Sequence, residues 1–263
     1  MGLAPYGEPK YKDLIYNNLI DVKNDGSFKM DMDYFNYCSG LQMTSEKFND
    51  LFGGPPRKPE SKLTQKEMDL ARSVQEVTEE IVYKMAKHVK EKTNMDYLCL
   101  AGGVALNCVS NGKLLRSNLF KDIFIQPASG DAGGCIGAAY YTWFNVNRNN
   151  RTTNSQDSMH GCYLGPKYSN NEIEKFLINK EIPFQKISEK EIPEKIADLI
   201  ANEKVIGWFQ GRMEFGPRAL GARTIIGDAR SSEMQKTMNL KIKYRESFRP
   251  FAPSVRAENI SEY

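Results

Sequence analysis

Histidine is nearly missing from this chain of 263 residues: it occurs only as His88 and His160. The two are far apart in sequence, so neither belongs to a local imidazole pair with metal-ligand spacing. Both read as ordinary surface or boundary residues. Cysteine is scarce and odd in number, with Cys38, Cys99, Cys108, Cys135 and Cys162 showing no CxxC spacing. That argues against a disulfide framework and a zinc site, and fits free thiols in a reducing cytoplasm. No apolar run approaches the ~18 residues of a membrane span. The first residues lack the basic and apolar regions of a secretory signal. Tyr6 stands where a myristoylation motif needs Ser or Thr. No P-loop, no G-x-G-x-x-G, no internal repeat and no low-complexity tract is present. Lys and Arg number 36 against 33 Asp and Glu, a net charge of +3. This is too mild to imply a nucleic-acid or membrane surface.

What is present suits a soluble globular protein, with 40% apolar and 26% charged residues. The length allows one large domain or two small ones, with a core that needs no staples. Residues 1–62 read as irregular, with turns at Asn24-Asp25-Gly26 and Gly53-Gly54-Pro55-Pro56. A long helix follows. Thr64 and Glu67 make a capping box, and Leu70, Val74, Val77, Ile81, Met85 and Val89 recur at helical spacing. Residues 97–101 read as a buried strand that breaks at Gly102-Gly103, with a helix from about Ala105. A second strand at 123–125 leads through the loop 128–134 into a helix containing Ile136, Ala139, Tyr140 and Trp143. The alternation predicts an α/β layer. Residues 145–158 contain one apolar residue and read as a solvated linker. The expected organisation is therefore a domain over 1–145, a linker over 146–158 and a domain over 159–263. In the second domain, Ser169 and Glu172 cap a helix, 184–187 alternates like a strand, 193–202 is helical, and 205–209 reads as a central strand.

Two features carry chemistry. The first is the pair of Gly-rich turns at strand ends, Gly102-Gly103 and Gly130-Asp131-Ala132-Gly133-Gly134. Backbone N–H groups and a helix N-terminus there suit a phosphate or nucleotide, although tight structural turns explain them as well. Asp131 is placed either to bind a metal or to cap the following helix. The second is the segment 207–249, where Arg212, Arg218, Arg223, Arg230, Lys243, Arg245 and Arg249 are interleaved with Gly211, Gly216 and Gly221. Trp208, Phe209, Phe215, Leu220, Phe248 and Phe251 between them point to a semi-buried scaffold. Guanidinium forks rising from it can converge on a phosphate or carboxylate.

The motifs Gly2-Leu3-Ala4-Pro5-Tyr6-Gly7 after Met1, Gly102-Gly103-Val104-Ala105-Leu106-Asn107 and Ser129-Gly130-Asp131-Ala132-Gly133-Gly134 occur in that order. They are followed by the block from Gly211 through Glu214-Phe215-Gly216-Pro217-Arg218 to Gly221, and by Phe248-Arg249-Pro250-Phe251-Ala252-Pro253. Together they resemble the O-carbamoyltransferases of nodulation-factor and antibiotic tailoring. The resemblance implies part of an actin/sugar-kinase/heat-shock-ATPase-like lobe, followed by a threonylcarbamoyl-AMP-synthase-like α/β domain. It implies a reaction in which carbamoyl phosphate and ATP, with Mg²⁺, give carbamoyl-adenylate. The carbamoyl group then passes to a hydroxyl of a small-molecule acceptor. By position, Asp131 matches a metal-binding aspartate for Fe²⁺ or a similar divalent ion. Gly102, Gly103, Asn107, Gly130, Gly133 and Gly134 match the nucleotide-contacting turns. Arg212, Arg218, Arg223, Lys243, Arg245 and Arg249 match the catalytic carbamoyl-phosphate and ATP block.

The family's H-x-x-x-H pair and first phosphate loop, upstream of the Gly-Leu-Ala-Pro-Tyr-Gly motif, have no counterpart here. The chain is thus expected to be a fragment, incomplete also at its C-terminal end. An alternative class is a nucleotide-binding or interaction module completed by another chain. A third, a tRNA-threonylcarbamoylation protein, shares the adenylate chemistry. An apolar face left by a missing lobe would favour a homo-oligomer. No nucleic-acid or membrane partner is expected, and the expected compartment is the cytoplasm.

Overall fold

The computed structural model describes residues 2–58, 61–153 and 156–262. Met1 of the first motif and Asn154 and Ser155 of the expected linker lie outside the described residues. The chain is mixed α/β and divides into two compact units, each discontinuous in sequence. The first comprises Met1–Leu98, Cys108–Ile123 and Tyr244–Phe251. The second comprises Cys99–Asn107, Phe124–Lys243 and Ala252–Tyr263.

In the first unit, helix α1 (Lys12–Asn18) leads into an antiparallel hairpin of β1 (Ile20–Val22) and β2 (Phe28–Met30). Helix α2 (Glu46–Leu51) starts at Ser45, whose hydroxyl accepts from the Phe48 N–H. Residues 12–51 therefore carry short elements within a stretch that reads as irregular. Elements this short are not stable alone and show little periodicity. They form by packing on helix α3 (Gln65–Thr93), where Ile15, Leu19, Tyr34 and Phe52 join Val77 and Ile81 in one core.

The capping box on α3 is present as expected, with Glu67 accepting from Thr64 N and Oγ1. Its buried face is not the expected one. Val77 and Ile81 are inside, but Val74, Met85 and Val89 are exposed, and Asp69 and Ser73 are buried instead. The reason is backbone hydrogen bonding. The N-terminal chain crosses α3 with unpaired N–H groups, and these need acceptors. Asp69 accepts from Glu8 N at 2.8 Å, and Ser73 Oγ accepts from Tyr11 N at 3.0 Å.

The division between units runs through β3 (Tyr97–Leu100) and β4 (Asp122–Ile125), which pair with each other. Lys121 N donates to Asp96 O, and Gln126 N to Leu100 O. Both partners rise together along the chain, so the pair is parallel and α4 (Cys108–Arg116) is its crossover. With only two short strands, β3 alternates between exposed and half-buried residues and is not the buried strand expected.

The second unit continues with α5 (Asp131–Tyr141), α6 (Asn170–Asn179) and α7 (Ile192–Ala201). Neither α6 nor α7 has a buried residue. Residues 184–187 form no strand, because no neighbouring strand offers them a ladder among the described residues. Strand β5 (Ile206–Phe209) pairs antiparallel with β6 (Arg223–Ile226) and with no other strand among the described residues, so it is half of a two-stranded sheet and not central. A short helix, α8 (Met234–Thr237), follows. Among the described residues no helix is long and apolar enough to cross a membrane.

Hydrogen bonds from Glu8 N–H, the Gln65 amide and Lys10 hold the Asp69 carboxyl down at about 2, against an ordinary 3.8. A depressed carboxylate stabilises the fold fully above its unfolded value and loses that contribution as pH falls through the folded one. We expect the urea midpoint to fall between pH 5 and pH 2. Asp69→Asn should be less stable than wild type at neutral pH and respond less to acid over this range. Identical acid responses for the two proteins would remove this role from Asp69.

Candidate functional site

Strands β3 and β4 both end in glycine turns within the second unit. After β3, Gly102 takes φ +100°, a left-handed value that favours glycine, and its N–H donates to the Ser129 carbonyl at 2.7 Å. That bond ties the 102–107 turn to the loop after β4. Asn107 ends a single 3₁₀ turn over Gly103–Leu106. A Cβ built at Gly102, Gly103, Gly130 or Gly134 would meet nothing within 4 Å, so both turns are open on one side. Gly130 is the N-cap of α5 and supplies no side-chain bond, leaving N–H groups at the helix start available. Ser129 is buried, and its Oγ has no hydrogen-bond partner.

The loop after β4 is wedged in place by Ala128, which has no exposed surface. A Cβ at Gly133 would lie 2.2 Å from the Ala128 carbonyl oxygen. A Cβ at Gly216 would lie 3.2 Å from Ala128 Cα, and Gly216 also has φ +128°. Two separate motifs thus need glycine because both approach the same alanine. Gly133 is spent on packing, whereas Gly102, Gly103, Gly130 and Gly134 keep space beside them.

The loop 214–223 leaves this contact and returns to β6. Its entry is fixed to residues 162–166: Met213 N donates to Pro166 O at 3.0 Å and Phe215 N to Cys162 O at 2.7 Å. The Cys162 thiol donates to the Phe215 carbonyl. Glu214 is buried. Its Oε1 accepts from the N–H groups of Leu220 (2.7 Å), Ala222 (2.7 Å) and Arg223 (3.3 Å). Burial pushes this carboxyl up, but backbone donors outweigh it and hold it below the usual range. Tyr163 Oη donates to the Leu220 carbonyl at 2.6 Å.

The basic residues of 207–249 divide by partner. Arg223 lies over the Phe209 ring at 3.4 Å and donates to the carbonyls of Gln210, Ala222, Pro166 and Gly211. Arg212 donates to Gly165 O at 2.8 Å. Arg230 forks onto Asp228, and with its own backbone N–H holds that carboxyl down at about 2. Arg218 and Lys243 are exposed, and their side chains make no hydrogen bond or ion pair among the described residues. Arg245 and Arg249 belong to the first unit. There, Arg245 packs on the Phe251 ring at 4.8 Å, and burial together with the Arg249 charge lowers its pKa.

Asp131 opens α5 with an exposed side chain that makes no capping bond. Among the described residues no three His, Cys, Asp or Glu side chains converge on a metal position. The residues present do not fit a three-ligand iron-type site.

The family model described as Carbamoyltransferase N-terminus matches residues 1–140, and that described as Carbamoyltransferase C-terminus matches residues 197–263. The chain belongs to the O-carbamoyltransferase family. A Synechocystis relative named uncharacterized protein sll1178 is 58% identical over all of this chain and 43% of its own length. Nodulation protein NolO of Bradyrhizobium diazoefficiens is 39% identical over all of this chain and 45% of its own length. The 3'-hydroxymethylcephem-O-carbamoyltransferase of Streptomyces clavuligerus is 27% identical over 63% of this chain and 29% of its own length. The chain thus spans less than half the length of these curated relatives.

In this carbamoyltransferase chain, sequence reasoning singled out cations and passed over the groups that hold them. Phe209 was among the aromatics expected to form a scaffold for the arginines, whereas Glu214 and Tyr163 had no signal as individual residues. Glu214 could have been suspected as the only carboxylate between Gln210 and Gly227. The Ala128 wedge predicts a contrast between adjacent glycines. Gly133→Ala should lower the thermal midpoint, losing about 1–3 kcal/mol to overpacking. Gly134→Ala should be neutral or gain up to about 1 kcal/mol from helix propensity. Equal effects in a thermal melt would refute the wedge.

Proposed function

We propose that this chain forms the carbamoyl-phosphate and nucleotide site of an O-carbamoyltransferase, built on the two fold types that its family resemblance implies. In this reading water hydrolyses carbamoyl phosphate to carbamate and phosphate, and a carbamate oxygen then attacks the α-phosphorus of ATP·Mg²⁺, releasing pyrophosphate and leaving carbamoyl-adenylate. An acceptor hydroxyl then takes the carbamoyl group, AMP departs, and the hydroxyl proton is lost.

The observation that carries the reading is Arg218, a guanidinium without a partner among the described residues, on a loop whose two feet are tied. A fixed cation stabilises developing phosphate charge without reorganising. Arg212 and Arg223, engaged with backbone carbonyls, shape the loop in this reading, while Lys243 stays free to meet an anion. Arg245 and Arg249 belong to the first unit, and an anion bound there would relieve the repulsion between their charges. The open glycine turns and the start of α5 favour nucleotide phosphates. Asp131 by itself does not make a divalent-ion site among the described residues. We place the reaction in the cytoplasm, where free thiols persist.

A second reading, a nucleotide-binding module that acts only with a partner chain, is favoured by the lone carboxylate at 131. One assay separates the two. Pyrophosphate release that requires both ATP and carbamoyl phosphate supports the enzyme; its absence in folded protein supports the module. Arg218→Ala should weaken carbamoyl-phosphate binding at least about tenfold by calorimetry, the scale of one charge-assisted bond. Unchanged affinity would move the site away from Arg218.

A further inference from the structure

Residues 214–222 join a backbone clamp at 162–166 to strand β6 without regular secondary structure of their own. Loops of this kind are ordinarily mobile, and their amides are ordinarily satisfied by water. Here two of those amides, at Leu220 and Ala222, and the first amide of β6, at Arg223, converge on one carboxylate oxygen, Glu214 Oε1. Glu214 is 7% exposed, and it has no cationic partner among the described residues. Its neighbours in sequence, Met213 and Phe215, are both bonded through their N–H groups to the 162–166 segment. The carboxylate therefore reaches from a fixed point across the loop to its far foot.

We propose that Glu214 is the positioning residue for Arg218: its buried carboxylate closes the 215–222 excursion into a rigid arch and presents the Arg218 guanidinium to the anion. The part concerning the anion rests on the carbamoyl-phosphate reading above; the part concerning the arch does not.

Three further features make the arch depend on a negative charge at this position. The donors are all backbone N–H groups, which an anion holds more strongly than a neutral amide does. Gly216 and Gly221 adopt φ +128° and +100°, so the loop path is one that ordinary residues resist and does not form from local preference. The Leu220 N–H bonded to Glu214 and the Leu220 carbonyl bonded to Tyr163 lie on one residue, so loss of the first bond loads the second. Glu214 does not touch the anion in this scheme. Its effect is to reduce the conformational freedom that Arg218 would lose on binding.

The test uses the full 263-residue chain. Backbone ¹⁵N relaxation and amide exchange are compared in wild type, Glu214→Gln and Arg218→Ala, with the β5 amides as a control for folding. In Glu214→Gln, amide exchange at Leu220 and Ala222 should accelerate by about tenfold or more, with order parameters at Gly216, Arg218 and Ala219 falling below about 0.6. The β5 amides should be unchanged. Unaltered exchange and order in a folded Glu214→Gln would overturn the proposal. If that variant does not fold, wild type decides: Leu220 and Ala222 amides exchanging at the rate of an open chain would equally sink it.

A second arm titrates inorganic phosphate and carbamoyl phosphate. Glu214→Gln should weaken both about tenfold in wild type, and have no further effect in Arg218→Ala, because both act through one guanidinium. An additive double variant would refute positioning while leaving the arch intact. If wild type and Arg218→Ala bind these anions alike, the carbamoyl-phosphate reading fails, and the relaxation data still decide whether Glu214 holds the loop.

Discussion

The arginine-bearing loop depends on one buried carboxylate. A segment without helix or sheet must find partners for every backbone N–H it takes out of water. Glu214 satisfies two of them, at Leu220 and Ala222, and a third at Arg223, where β6 begins. Removing a charged group from water is costly, and convergent N–H donors are among the few arrangements that offset the cost without a counter-ion. Because the donors are backbone N–H groups, Glu214 takes no ion pair from Arg218, and that guanidinium is not engaged by its own support.

The same constraint recurs in the first unit. There the irregular N-terminal chain lies on α3, and its amides meet Asp69 and Ser73, both buried on the helix face. In both units a carboxylate with a lowered pKa sits beneath irregular chain and gathers its N–H groups. Glycine provides the complementary device. At Ala128 two turns come close enough that a single methyl group would separate them. The candidate site is therefore a set of loops held by polar ties and glycine contacts, on strands too short to carry it by themselves.

How legible this was in the sequence follows from the range of each interaction. The capping boxes at Thr64 and Ser169 involve residues three apart, and both are present. The helices α3, α5 and α7 follow from local periodicity. Strand β6 was missed because its four residues lie behind a glycine- and arginine-rich stretch that shows no alternation. The 184–187 alternation misled, since a strand exists only when another strand accepts its hydrogen bonds. The apolar stripe of α3 misled for a similar reason: what a helix buries is set by the surface laid against it.

The chain's own sequence determined its family, through motifs that extend over nearly all its length, and the position of each cation and glycine. These are properties of residue identity and order, and they survive without coordinates. Only the tertiary structure decided which cations are already occupied. Arg223 is bound to four carbonyls and an aromatic face, Arg230 to Asp228, and Arg218 to nothing among the described residues. Tertiary structure likewise decided which glycines are open and which are packed, and that Glu214 is a tie and not a surface charge. Each of these depends on contacts between residues distant in sequence. Free energy there is set by distance and burial, which residue identity alone does not encode.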